Sequence, residues 1–131
     1  MITKHIVILC SCWLLACGAK NETKPEAPER PDAAYDVRGR IESIIEGQGP
    51  DTLVQIAHEA MPDFKDRDGN PSPMHAMTMP FALDPRVARD TLKPKSLYQF
   101  HIEIHWSHAP GMRIVSATPL PPDTPLTLAT H

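Results

Sequence analysis

Leu97-Tyr98-Gln99-Phe100-His101-Ile102-Glu103-Ile104-His105-Trp106 alternates apolar and polar side chains from end to end. Successive side chains of a β-strand point to opposite faces. This run therefore puts Tyr98, Phe100, Ile102, Ile104 and Trp106 on one face and His101, Glu103 and His105 on the other. A helix would scatter both sets around its circumference. The stretch predicts a half-buried strand, and the rest of the fold reads outward from it.

Downstream, Pro110-Gly111 makes a turn, and Met112 to Ala117 predicts the next strand. Pro119, Pro121, Pro122 and Pro125 make residues 119–131 an irregular tail. Upstream, Met77 to Leu83 predicts a strand with Met77, Met79, Phe81 and Leu83 on one face; Pro80 requires an edge or bulge position there. Asp84-Pro85 reads as an N-cap followed by proline at the first helical position, which predicts one short helix to about Leu92. Thr52 to His58 is a further strand, with Val54, Ile56 and His58 on its apolar face. Gly47 to Asp51 is a turn, and Tyr35 to Ile45 alternates with Val37, Gly39 and Ile41 inward. Met61 to Pro73 reads as a polar loop turning at Asp68-Gly69-Asn70. Five short strands and one short helix over residues 35–118 describe a small all-β domain. The strand count alone does not choose between a barrel and a sandwich.

The N-terminal residues read differently. Lys4 precedes an apolar run, Ile6 to Ala16, too short to span a bilayer as a helix but suited to a signal peptide. It ends in Leu14-Leu15-Ala16-Cys17-Gly18. That string resembles the bacterial lipobox, in which the cysteine becomes the lipidated first residue of the mature chain. The expectation is a signal peptide over residues 1–16 and lipidation at Cys17. A lipid there would tether the domain without a transmembrane helix. Residues 17–34 are rich in Pro, Glu and Lys without apolar periodicity, the composition of a solvated linker. The position would be the periplasmic face of a bacterial membrane; with no Asp just after Cys17, the lipobox resemblance implies the outer membrane slightly over the inner.

Composition removes several function classes. The chain carries a net charge of −3. Losing residues 1–16 removes Lys4 and no acid, so the balance becomes −4. No basic surface for nucleic acid is expected. The three cysteines all lie in the first 17 residues, so a disulfide framework or zinc-thiolate site in the domain is excluded. No catalytic set stands out: the domain has no thiol, no Gly-rich phosphate loop and no G-x-S-x-G.

Met74-His75-Ala76-Met77-Thr78-Met79-Pro80-Phe81 holds three of the six methionines in the chain. On a strand, Met77 and Met79 share a face about 7 Å apart along the backbone. Thioether sulfur is soft, neutral and not protonated in water, and it selects Cu(I) or Ag(I) over harder divalent ions. A neutral imidazole at His58 would add a nitrogen donor. The bland alternative is a pair of core methionines and a satisfied core histidine.

Ile56-Ala57-His58-Glu59-Ala60-Met61 followed by that methionine segment resembles the periplasmic CusF-type copper and silver metallochaperone family. The resemblance spans roughly Tyr35 to Ala117. It implies a small five-stranded OB-like barrel, with His58 as the imidazole ligand and Met77 and Met79 as the thioether ligands of Cu(I) or Ag(I). Well-studied members of that family place a tryptophan three residues before the first ligand methionine, and other sequences of this kind carry Met there. Met74 stands there in this chain, either as a third sulfur ligand or as an exposed loop residue. The loop between His58 and Met74 is also longer than the family pattern.

Other candidates are weaker. His101 and His105 lie about 13 Å apart on one strand, too far to grip one ion together. Glu103 with either of them, or His105 with His108, would hold a divalent ion only weakly. His75 alternates away from Met74. Asp63, Asp66 and Asp68-Gly69-Asn70 hint at a calcium loop, but alignment on Gly69 puts Phe64 and His75 at the terminal ligand positions, so a turn is the better reading. The expectation is a monomeric carrier rather than an enzyme, handing copper to an efflux pump component or a copper-enzyme assembly factor. The alternative is a lipid-anchored OB-like module that binds a protein or glycan without metal.

Overall fold

The structure is a computed structural model and describes residues 29–46 and 52–129. The signal peptide, the lipobox with Cys17, linker residues 17–28 and the turn at 47–51 lie outside those residues. Five strands form in chain order: β1 (Ala33–Glu46), β2 (Thr52–His58), β3 (Met77–Leu83), β4 (Leu97–Ile104) and β5 (Met112–Pro119). They close into a barrel in the order β1-β2-β3-β5-β4. The all-β expectation holds, and the sheet closes on itself.

The geometry of β1 explains how it closes. Residues 33–40 pair with β4, and residues 39–46 pair with β2. One strand thus serves two neighbours by coiling past both. A bulge helps it turn: Ile41 faces Ile56 and Ser43 faces Gln55, leaving Glu42 as the extra residue. The opposite closure is slight. β3 and β5 run parallel and pair only at Ala82–Arg113 and Leu83–Ile114. The Met77–Pro80 half of β3 is paired with β2 alone, which gives Pro80 an edge where its missing N–H costs nothing.

The alternating positions fill the interior. Ile41, Val54, Ile56, Phe100 and Ile114 are fully buried, with Phe81, Ile102 and Ile104 close behind. β4 ends at Ile104, so Trp106 lies past the strand, but it still packs against the core, edge-on to Phe64 at 6.4 Å. The backbone of Trp106 turns out of the strand because its N–H donates to Asp32 Oδ2 at 2.8 Å.

β5 runs on through Pro119, which pairs with Tyr98, so the strand expected to end at Ala117 takes in the first residue of the expected tail. Three more expectations need correction. The linker was expected to run through residue 34, but Ala33 and Ala34 already pair with Ile104 and Glu103, and the strand starts there. The short helix from Asp84 does not form. Asp84 Oδ1 does accept the Arg86 N–H, at 2.9 Å, as a cap would, but Ala88 is extended at φ −67°, ψ 113° and only a 3₁₀ turn, Arg89–Thr91, follows. The segment offers Val87 and Leu92 as its larger apolar side chains, five residues apart, and that spacing gives a helix no continuous face to bury. The third concerns residues 61–73. The turn is as expected, with Asp66 Oδ1 accepting the N–H groups of Asp68 and Asn70 at 3.0 and 2.9 Å and Gly69 at φ +81°. The loop itself is not merely polar. Met61 and Phe64 are buried and plug one end of the barrel, where Phe64 meets Tyr35 at 5.2 Å.

Candidate metal centre

The end of β2 and the start of β3 lie side by side in antiparallel register. His58 faces Met77, and Ile56 faces Met79. Val54, Ile56 and His58 point inward from β2, so Met77, Met79 and Phe81 share that face from β3. Directly opposed side chains of a ladder have Cβ atoms about 4.5–5.5 Å apart, and diagonal neighbours stand roughly 7–8 Å apart. The diagonal from His58 is Met79. One face of one ladder therefore brings together the imidazole and both thioethers.

The His58 ring is fully buried. Its Nδ1 lies 2.6 Å from the Glu59 carbonyl oxygen. A carbonyl can only accept, so Nδ1 carries the proton and donates. The neutral ring then has its lone pair on Nε2. That Nε2 is buried and has no hydrogen-bond partner. A buried polar atom left unpaired costs about 1–3 kcal/mol, so a native protein that keeps one calls for a reason. Phe81 presents an edge to the other side of the ring, with centroids 5.9 Å apart. The Glu59 carboxylate does not fill the gap, because it pairs with Arg38 Nε at 2.8 Å.

Burial holds the His58 imidazole below its ordinary pKa of 6.5, against a smaller opposing effect of the Glu59 carbonyl. The neutral form is the ligating form. The same shift has a consequence for stability. As pH falls, the unfolded chain takes up this proton before the folded one does. The contribution of His58 is therefore intact above about 6.5 and declines as pH drops through the folded value. Thermal melts of the ion-free protein should show this acid loss, and His58→Leu should flatten that part of the profile relative to the parent. Parallel profiles would reject the assignment.

Gly39 sits opposite His58 on β1 and opposite Tyr98 on the other side. A Cβ there would meet the Ala57 carbonyl oxygen and Ile56 Cγ2 at 2.7 Å, and His58 Cα at 3.1 Å. Backbone cannot yield as a side-chain tip does. Gly39→Ala should therefore push β1 off β2 beside the imidazole and cost about 1–3 kcal/mol, the range of overpacked interiors. Chemical denaturation checks this; an unchanged midpoint would contradict the close approach.

The methionines are graded in depth. Met77 stands at the rim and is 41% exposed. Met79, one layer in, is half-buried against the core. Met74 is also half-buried, and its N–H and carbonyl pair with Met61 at 3.0 and 2.8 Å. The His58 ladder thus includes Met77 and Met79, while Met74 belongs to the loop that leads into it. His75 is exposed. Sequence reasoning passed over Met61 and the close approach at Gly39. An apolar Met and Phe in an otherwise charged loop were the available signal for the plug; nothing local signals a contact between distant strands.

His101, His105 and His108 each find a carboxylate. His101 Nδ1 lies 2.7 Å from Asp36, His105 Nε2 lies 3.1 Å from Glu103, and His108 meets Glu29. Through that last contact His108 holds the Glu29 carboxyl below its usual value. Among the described residues, no three His, Cys, Asp or Glu side chains are grouped to hold a metal ion.

No family model matches the chain, and no curated protein matches it. Among solved structures, the chain is similar to the solution structure of the C-terminal domain of SilB from Cupriavidus metallidurans. The likeness covers 66% of this chain and 88% of that one, at 28% sequence identity and a TM-score of 0.48.

Proposed function

We propose that this protein is a lipid-anchored carrier of Cu(I) or Ag(I) on the periplasmic face of a bacterial membrane. His58 Nε2, Met77 and Met79 would hold the ion, with Met74 close enough in sequence to add a third sulfur. The observation that carries the reading is the unpartnered, buried Nε2 of a neutral imidazole, set on the same ladder face as two thioethers. Soft sulfur with one borderline nitrogen suits a soft monovalent cation and suits a hard or divalent one poorly. All three donors are uncharged, so the ion keeps its charge. That favours reversible holding over burial for good, as a carrier requires.

The recipients in this reading are an efflux pump component or a copper-enzyme assembly factor, and the protein itself performs no catalysis. Titration of the full chain with Cu(I) under reducing conditions tests it. One stoichiometric site, weakening as His58 protonates in acid, is expected. A flat titration would leave the methionines as core residues of a metal-free interaction module. The anchor is tested separately: intact-mass measurement of membrane-extracted protein should find acyl chains on a chain that starts at Cys17, and Cys17→Ser should release the protein from the membrane.

A further inference from the structure

We propose that the C-terminal tail is a strap that braces the methionine-bearing half of β3 from outside the barrel, and that its release loosens that half alone. Leu97, Arg40, Ala57 and Thr78 are directly opposed from strand to strand, β4 to β1 to β2 to β3. Their chain neighbours Tyr98, Ile41, His58 and Met79 point inward, so these four point outward. Adjacent strands lie about 4.7–4.9 Å apart, so the row runs about 14 Å across the sheet. The next row is Tyr98, Gly39, His58 and Met77, which carries the imidazole and the rim sulfur.

The tail follows the outward row. The Leu120 N–H donates to the Leu97 carbonyl at 2.9 Å. The Thr124 N–H and hydroxyl both donate to the Pro121 carbonyl, at 3.0 and 2.7 Å. From there exposure alternates: Thr124, Leu126 and Leu128 are half-buried, while Pro125, Thr127 and Ala129 are exposed. That is the period of an extended chain with one face laid on a surface. Leu126 borders one cavity with Leu97 and Arg40; Leu128 and Ala129 border a second with Ala57 and Thr78. Ala57 points outward and is nevertheless only 7% exposed, as a residue under a cover must be.

The hold is light. Among the described residues, none past Thr124 hydrogen-bonds to the barrel. Cavities of about 450 and 330 Å³ remain alongside the tail. Arg40 and Lys95 both turn to the Glu42 carboxylate, at 2.7 Å each, so their charges are matched within the barrel. The tail is therefore held by apolar contact at two leucines, and it can lift without disturbing the core. What it restrains is local. Met77–Pro80 pairs with β2 alone, because β5 reaches β3 only at Ala82 and Leu83. The end of the tail beside Thr78 gives this half of β3 a second tie. In the carrier reading, on which this consequence rests, the strap keeps both thioethers in register with His58 from the face opposite the ion.

Amide hydrogen exchange of the full, ion-free chain tests the brace. Pro80 faces Gln55 and has no N–H, so the hydrogen-bonded pairs of the alternating ladder are Met79–Ile56 and Met77–His58. The parent is compared with Leu126→Ser/Leu128→Ser and with a chain shortened to end at Thr124. Neither change touches the buried core. In both variants the Met79 and Ile56 amides should exchange several-fold faster, while Phe100 and Ile102 in β4 keep their rates. The parent should also show a nuclear Overhauser contact between the Leu128 and Ala57 methyl groups. Unchanged rates at Met79 and Ile56, or the absence of that contact, would overturn the brace. An equal rise at Phe100 and Ile102 would also overturn it, since the tail would then stabilise the whole barrel. No ion is present, so any of these failures leaves the metal site to its own Cu(I) titration.

Discussion

Replacing Met77 and Met79 together by leucine should abolish stoichiometric Cu(I) binding while the barrel stays folded. Leucine keeps the volume and apolar character of methionine, and volume-conserving swaps of this kind usually cost less than about 1.5 kcal/mol each. Both positions lie toward the rim, whereas β3 is anchored by Phe81 and Leu83, which are 1% and 5% exposed. Stability should thus change little. Binding should change greatly, because two of three donors vanish and a lone imidazole has no special claim on a soft ion. Even loss of an outer-sphere partner typically costs about 10–100-fold in metal affinity, and loss of two direct ligands should exceed that. Competition with a Cu(I) chelator measures the affinity, and a thermal melt verifies the fold. A double variant that competes as well as the parent would end the metal-site reading.

Phe100→Ala should have the largest effect on stability. Phe100 is fully buried in the middle of β4, faces Val37 on β1 and Ala117 on β5, and stacks obliquely on Tyr98 at 5.7 Å. Truncating a core phenylalanine costs about 3–5 kcal/mol, the transfer free energy of the ring plus the cavity left behind. Against a total stability of about 5–15 kcal/mol for a domain this size, the loss approaches unfolding. Urea denaturation of the ion-free protein checks it. A shift of less than about 1 kcal/mol would mean that the barrel interior collapses around the gap, or that the ring is not the centre of the core.

The strands were legible because alternation is a local signal. Thr52–His58 and Met77–Leu83 have the bounds their side-chain pattern predicts, and the predicted inward faces of β1, β2 and β4 are the buried ones. The juxtaposition of His58 with Met77 was legible only through resemblance, since no pattern within either strand says that they pair. The failures share a cause. Asp84-Pro85 is a good helix start, but a start signal cannot supply the apolar face that a helix needs in order to persist. Met61 and Phe64 sit among charged neighbours, and window-averaged polarity hid their burial. Gly39 looked like one inward position among three. Its significance comes from β1 changing partners there, which is a property of the closed barrel and of no segment within it.

The two-pair junction between β3 and β5 makes the barrel a cylinder with one lightly stitched side. Amide hydrogen exchange should be fastest along the lower part of that stitch and slowest between β1 and its two neighbours. The methionine-bearing arm hangs from β2 at this place, so it can flex while the rest of the cylinder keeps its shape. In the carrier reading proposed above, cargo would leave by yielding at that one side, with the rest of the cylinder intact.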